Sequence, residues 1–600
     1  MTTLKLFLIC VLLSAVSFAQ DNTSSSNITS QELRQHVKFL SSDQLSGRKT
    51  GEQGNREAAE YIASEFKRYG LQPAGTEGKY FQEFPFLASV KQGKNSKLVL
   101  HVENKEYDYK IDDEFNLQSV STDTSLSTSL VFAGYGITAD SLHYDDYAGI
   151  DVMNKIAVIL RYTPEGSKND SRFYLYSALM KKIFNAREHG AAGVILVVGP
   201  LDAEKPKLMQ FEYMESANAG IAVMSMRWDI LDSLFHAANR NLRTIQQGIN
   251  DTRKPNSFLI ENAKADIQTQ VLKEYSTSSN ILGLLQGNDP QLSQEFLIIG
   301  AHMDHLGMGG KGSLASDTVA IHHGADDNAS GTAGLLEAAQ YLASHREQLK
   351  RSILFIGFSG EEMGLLGSNY YTKNPTFPID HTVAMLNMDM VGRLTDSALV
   401  VEGMGTSPEW ETIVKRNNKD SLKVKLKPDG FGPSDHASFY AKDLPVMFFF
   451  TNLHNDYHRP SDTWDKINYS GEETVVRFVA RIATDIANVP TKPAFTKAAV
   501  SSMAGMGGDR QGVRVSLGVV PDYAEDVVGM KISGTRPGSA AEKAGLKGGD
   551  VIISFGAKTI KNIYDFTYLL GEYKPGDEVA IIIKRDTTEI TLKAILEARK

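Results

Sequence analysis

Cysteine is nearly absent: the 600-residue chain has one, Cys10. It falls inside an N-terminal segment with Lys5 as a short basic start, an apolar stretch at 6–16 and a small-x-small site at Ser17, Phe18 and Ala19. Residues 1–19 therefore read as a secretory signal peptide. Cys10 lies in the middle of the apolar stretch, without the small residues that a lipid-anchor site needs. Removing the leader leaves no thiol, so stability has to come from core size and not from disulfides, in a periplasmic or extracellular setting. Beyond the leader no apolar run is long enough to span a bilayer. Runs of Lys and Arg are also missing, and the net charge is −9, which excludes nucleic acid and anionic membrane surfaces as expected partners. What is present is ordinary for a soluble globular protein: 42% apolar and 22% charged residues. The length calls for two to four domains.

The order of elements divides the chain. A polar lead-in at 21–30 precedes helical patterns at 31–45 (Leu33, Val37, Leu40) and 52–69 (Ala58, Ala59, Ile62, Phe66), the second closed by Gly70. Alternating segments near 97–102 and 107–111 predict antiparallel strands. A Ser/Thr-rich stretch at 121–129 marks a boundary. Residues 121–253 carry strands at 130–137, 155–161 and 190–198 with a helix at 178–189. They resemble the protease-associated (PA) domain and hold no residue with a catalytic look. From 279 strands and helices alternate, with strands at 280–285, 295–301, 352–358, 381–388 and 444–451. That rhythm predicts an α/β domain, a mainly parallel mixed sheet flanked by helices, assembled from 31–120 and 254–489. Residues 490–508 read as a linker. The final segment, 509–600, contains Ala544-Gly-Leu-Lys-Gly-Gly-Asp-Val-Ile552 and resembles the PDZ domain of bacterial periplasmic proteases. That resemblance implies that backbone amides around Leu517, Gly518 and Val519 receive a peptide C-terminus.

The chemistry gathers where the strands end. The apolar run 296–301 stops at His302, Met303 and Asp304. The next segments deliver Asp326-Asp327-Asn328, Glu361-Glu362, Asp389 and Asp456-Tyr457-His458. Carboxyl ends of parallel strands are where open α/β sheets place their sites. Acids crowded there without matching Lys or Arg repel one another unless cations sit among them, and mixed His/Asp/Glu ligands suit zinc. Ser434-Asp435-His436 looks like a nucleophile set, but consecutive residues cannot adopt triad geometry.

These motifs resemble the two-zinc exopeptidase family of bacterial leucyl-type aminopeptidases, glutamate carboxypeptidase and transferrin receptor. The resemblance implies two zinc ions per chain held by His302, Asp327, Glu362, Asp389 and His458, with Asp327 rather than Asp326 as the shared ligand. It implies Glu361 as general base, Asp304 as the carboxylate that orients His302, and Tyr457 as a hydroxyl for the oxyanion. His305, His322, His323 and His454 are expected to be supporting or surface groups, and Asp462 to orient His458. Ser434-Asp435-His436 then helps build the substrate pocket, with Pro433 standing where some members place a substrate-gripping arginine. The implied function is an exported zinc aminopeptidase acting on peptides. A carboxypeptidase or dipeptidase on the same site is the alternative, and a metal-free binding protein stands behind both.

Overall fold

The apolar strand ending at His302 lies at the centre of a nine-stranded sheet in a computed structural model. The structure describes residues 27–598 except 169, 212–217, 316, 499–514, 523–526, 537 and 572. The signal peptide and residues 499–508 of the expected linker lie outside the described residues. The sheet comprises the two-residue strand Gln72–Pro73 and eight longer strands: β1 (Phe81–Gln92), β2 (Val271–Leu285), β3 (Phe296–His302), β4 (Ser352–Phe358), β5 (Thr382–Met388), β6 (Ala398–Glu402), β7 (Lys423–Leu426) and β8 (Val446–Phe450). Across the sheet the order is β1-β2-β4-β3-β5-β8-β6-β7. The four central strands, β4, β3, β5 and β8, run parallel, with antiparallel β2 and β6 on either side. This is the mainly parallel mixed sheet expected from the alternation of strands and helices.

Both faces are covered, which is why β3 reads as an unbroken apolar run. Leu297, Ile299 and Ala301 point into one core and Phe296 and Ile298 into another. The first core is closed by α1 (Ser30–Leu40), α2 (Gln53–Arg68), α3 (Gly331–Ser344) and α4 (Tyr469–Asn488). Leu33, Val37 and Leu40 of α1 and Ala58, Ala59, Ile62 and Phe66 of α2 are all buried, as their spacing predicts. Each large side chain among them contributes roughly 1.5–3 kcal/mol of burial.

A second, eight-stranded sheet spans Lys97–Val102 to Phe258–Thr269, wider than the 121–253 limits set for the PA-like unit. Two features explain the difference. Strands β1 and β2 pair from Phe81 with Ile281 to Gln92 with Val271, with one register shift between Glu274 and Tyr275, so the chain enters and leaves the second unit beside 93 and 270. The Ser/Thr-rich stretch at 121–129 is largely a strand, Thr124–Phe132, whose first half alternates between partly buried and exposed residues. Hydroxyl side chains on a half-solvated strand have the composition of a boundary without being one.

The C-terminal region has its own core, built around Ile532, Ile552, Phe555, Phe566, Ile581 and Ile583. Gly518 adopts a left-handed φ of +80°, and a Cβ there would come within 2.2 Å of Ser539 Cβ. The region touches both other units. Its helix Ile563–Leu570 meets the helix Leu179–Glu188 through Asp565 and Arg187 Nη1 at 3.1 Å and through Tyr568 edge-on to Phe184. On the other side Lys373 pairs with Asp522 and Lys497 with Glu542, both at 2.6 Å.

Candidate metal centre

Parallel pairing brings the ends of β3, β4 and β5 to one edge, where His302 lies beside Phe358 and Met388 beside Phe449. His302 closes β3, Glu361 and Glu362 follow β4, Asp389 follows β5, and His458 follows β8. Asp327 comes from the turn that leads into α3. Its two carboxylate oxygens face different partners. Oδ1 lies 3.4 Å from His302 Nε2, which is also 3.4 Å from Asp389 Oδ1. Oδ2 lies 3.1 Å from His458 Nε2, which is 3.2 Å from Glu362 Oε2. Glu361 Oε2 stands 4.0 Å from His302 Nε2. All five expected ligands and the expected base thus surround one small volume. Ligand atoms around a tetrahedral zinc ion with bonds of about 2.0–2.1 Å stand about 3.3 Å apart, and both clusters have that spacing. His302 Nε2 and Asp389 Oδ1 are buried without a hydrogen-bond partner. Buried polar atoms are rarely left so, and a cation between them is what this donor set fits.

The support around the ligands departs from expectation in two places. The Asp304 carboxylate does not hold the His302 ring: Nδ1 is 3.8 Å from Oδ1 and nearer, at 3.2 Å, to the Asp304 carbonyl oxygen. The carboxylate instead accepts from Thr50 Oγ1 (2.8 Å) and from the amides of Glu361 (3.2 Å) and Glu362 (3.4 Å). Two residues past the strand end, its side chain reaches across to the β4 loop, so it holds the backbone of Glu361 and Glu362 rather than the imidazole. Asp462 likewise does not reach His458. Its Oδ2 accepts from the amides of Asp326 (2.8 Å) and Asp327 (3.1 Å), and its Oδ1 pairs with Arg393 at 2.9 Å. His458 is oriented from Nδ1 by the carbonyl oxygen of Gly312 at 2.8 Å. Asp326 turns away from the centre to Gly392 N, Ser330 Oγ and His454. Tyr457 stacks on His458 with ring centres 3.8 Å apart.

The electrostatics follow from packing acids with imidazoles out of water. Burial disfavours a charged His302, but Asp389 and Glu361 outweigh it and raise the ring well above the usual range. His458 is pushed up to about 11, burial being overcome by Asp327 and Glu362. Burial lifts Glu361 well above the ordinary carboxyl range, opposed by His302 and reinforced by Glu362, Asp389 and Asp435. A cation bound among these imidazoles would displace such protons.

Three further residues support these loops. Arg48 is fully buried and donates from Nε to Met303 O (2.9 Å), from Nη1 to Leu40 O and His323 O (2.8 Å for the latter), and from Nη2 to Gly324 O (2.9 Å). Thr50 holds Asp304, as above. Asn328 joins two ligand loops, donating from Nδ2 to Met388 O (3.1 Å) and accepting from Met390 N (3.2 Å). Ser434-Asp435-His436 is no triad. Asn387 Nδ2 donates to Ser434 Oγ at 2.8 Å, and the His436 ring stacks on Phe448 at 4.5 Å with both nitrogens unpartnered.

Parts of the chain match known families and proteins. Residues 280–483 match the profile of peptidase family M28, and residues 515–596 that of the PDZ domain. A probable leucine aminopeptidase of Arthroderma otae is 29% identical over 187 residues, 30% of this chain and 50% of that protein. Leucine aminopeptidase 2 of Trichophyton rubrum is 25% identical over 272 residues, 39% of this chain and 51% of that protein. The chain thus spans about half the length of the curated relatives it matches. Among solved structures, a zinc aminopeptidase from Bacillus subtilis aligns over 77% of this chain and 96% of its own at 20% identity and a TM-score of 0.45. An aminopeptidase from Aneurinibacillus aligns over 80% and 98% at 22% identity and 0.43.

Proposed function

We propose that this chain, which belongs to peptidase family M28 over residues 280–483 and carries a PDZ domain at 515–596, is an exported aminopeptidase that uses two zinc ions to hydrolyse peptide N-termini. The observation that carries the reading is the division of Asp327, one oxygen toward His302 and the other toward His458, with Asp389 completing the first cluster and Glu362 the second. Zinc held by His302, Asp327, Asp389, Glu362 and His458 would supply a water of lowered pKa and polarise the scissile carbonyl. Glu361 Oε2 takes the proton of the attacking water and returns it to the leaving amine, a role suited to a carboxyl whose pKa is lifted by burial. Asp304 holds the backbone of Glu361 so that its side chain stays over the centre. Tyr457, stacked on His458, offers its hydroxyl to the oxyanion.

Charge favours a substrate with a free amine over one with a free carboxylate. Arg48 is committed to loop carbonyls, and Arg393 to Asp456 and Asp462. Neither arginine is therefore left to receive a substrate carboxylate. In the PDZ domain the backbone around Leu517, Gly518 and Val519 takes a peptide C-terminal carboxylate.

Glu361→Gln, assayed on aminoacyl-anilides with zinc present, is expected to lose about 10²–10⁴-fold in kcat. Activity near wild type would remove Glu361 as the base. Tetrapeptides blocked at one end separate the readings further: cleavage of the N-blocked peptide with release of its C-terminal residue would make the enzyme a carboxypeptidase.

A further inference from the structure

His305 lies behind the second ligand cluster with its side chain wholly out of solvent. Its Nδ1 is 2.7 Å from Glu362 Oε1 and 3.9 Å from Asp327 Oδ2. Glu362 therefore has its oxygens divided: Oε2 faces His458 Nε2 at 3.2 Å, and Oε1 faces His305. The 2.7 Å separation is that of a charge-assisted hydrogen bond, shorter than the about 3.3 Å between two ligands of one tetrahedral zinc ion. A carboxylate has no proton to give, so the bond forms with the proton on Nδ1.

The residue is held through its backbone and one face of its ring. Its backbone amide donates to Arg48 O at 3.2 Å, and the residue forms a β-bridge with Lys49. Gly324, at a φ of +54°, passes so close that a Cβ there would lie 2.6 Å from the imidazole carbons. The glycine lets the Asp327 turn close over the ring and leaves it little room to rotate.

We propose that His305 is a positioning residue for the metal centre: its Nδ1–H holds Glu362 Oε1, so that only Oε2 is presented to the ion beside His458. This rests on the reading of Asp327, Glu362 and His458 as zinc ligands. The carboxylate is then pre-set for single-oxygen ligation, and the ordering entropy of its last torsion is lost on folding rather than on metal binding.

Metal content and competition titrations against zinc-buffering chelators test this on the full-length wild type, His305→Ala and His305→Asn. Cobalt substitution gives a spectroscopic readout independent of turnover. Asparagine can place an amide N–H where Nδ1–H stood, without an imidazole. His305→Ala is expected to bind one of the two ions about tenfold to a hundredfold more weakly, with the other unchanged as an internal check on folding. His305→Asn is expected to recover most of that loss. An alanine variant that binds both ions like wild type overturns the proposal. So does an asparagine variant as weak as alanine, since the imidazole would then act as a ligand. A wild type that binds fewer than two ions fails at the prior step, the two-zinc reading itself.

Discussion

Replacing Arg48 by methionine tests how the ligand loops are held. The guanidinium donates to four carbonyl oxygens, those of Leu40, Met303, His323 and Gly324. Three of these belong to the segments flanking His302 and Asp327. Burial lowers its pKa only to about 10, because Asp327, Asp304, Asp462 and Glu362 lie close enough to offset part of the desolvation. It is therefore charged at neutral pH. Methionine matches much of the stem but makes none of the hydrogen bonds, leaving four buried carbonyls and an uncompensated set of acids. Summing four charge-assisted bonds at about 1.5–3 kcal/mol each overstates the loss, since the desolvation cost of the cation disappears with it. The net expected is about 3–5 kcal/mol, as for breaking a buried charge pair. At about 2–4 °C per kcal/mol for a domain of this class, the melting temperature falls by about 6–20 °C in scanning calorimetry. Arg48→Lys keeps the charge but not the planar fork, and should fall between the two. A methionine variant melting within about 2 °C of wild type would refute the idea that Arg48 ties the loops together.

Three further outcomes follow from other parts of the molecule. Burial pushes the His436 pKa down to about 3, so the unfolded chain binds the proton first as pH falls. His436 therefore contributes stability that is intact above about pH 6.5 and is lost between 6.5 and 3, about 3 kcal/mol of it by pH 4.5. His436→Phe, which keeps a ring on Phe448, should flatten the acid limb of the melting profile, and an unchanged slope counts against the assignment. Arg187→Gln removes the partner of the buried Asp565, and faster amide exchange across Ile563–Leu570 is expected; protection equal to wild type would mean that this ion pair does not hold the C-terminal domain. A chelator should abolish peptidase activity while far-UV circular dichroism stays native, because the ligand side chains are held by protein contacts before any ion arrives; loss of helical signal would contradict that.

The convergence of these side chains is legible in the sequence because of one regularity. Each ligand except Asp327 follows an apolar run, and apolar runs are strands whose ends fall together in a parallel sheet. The choice of Asp327 over Asp326 came only from resemblance, since adjacent carboxylates in a turn carry no period. The structure separates them by what each side chain meets: Asp326 is saturated by Gly392, Ser330 and His454, and Asp327 is left for the imidazoles of His302 and His458. Arg48 was invisible for a different reason. It lies in an irregular segment between two helices, and its contacts reach residues 255 to 276 positions away. The limits of the second sheet were missed because a hydroxyl-rich strand imitates a linker. Asp304 was assigned to the nearer ring, whereas its carboxylate spans to the next loop.

These supporting contacts share one logic. His302 is turned by the Asp304 carbonyl at Nδ1, His458 by the Gly312 carbonyl at Nδ1, and Glu362 by His305 at Oε1. The Asp327 amide is held by Asp462, and those of Glu361 and Glu362 by Asp304. In each case the engaged atom faces away from the centre, and the atom left over faces into it. Two imidazoles and three ligand carboxylates cannot be packed out of water in this way for stability alone, because each unpaired buried polar atom costs about 1–3 kcal/mol. Among the ligand atoms, His302 Nε2 and Asp389 Oδ1 are buried without a partner, which is what a bound cation would supply.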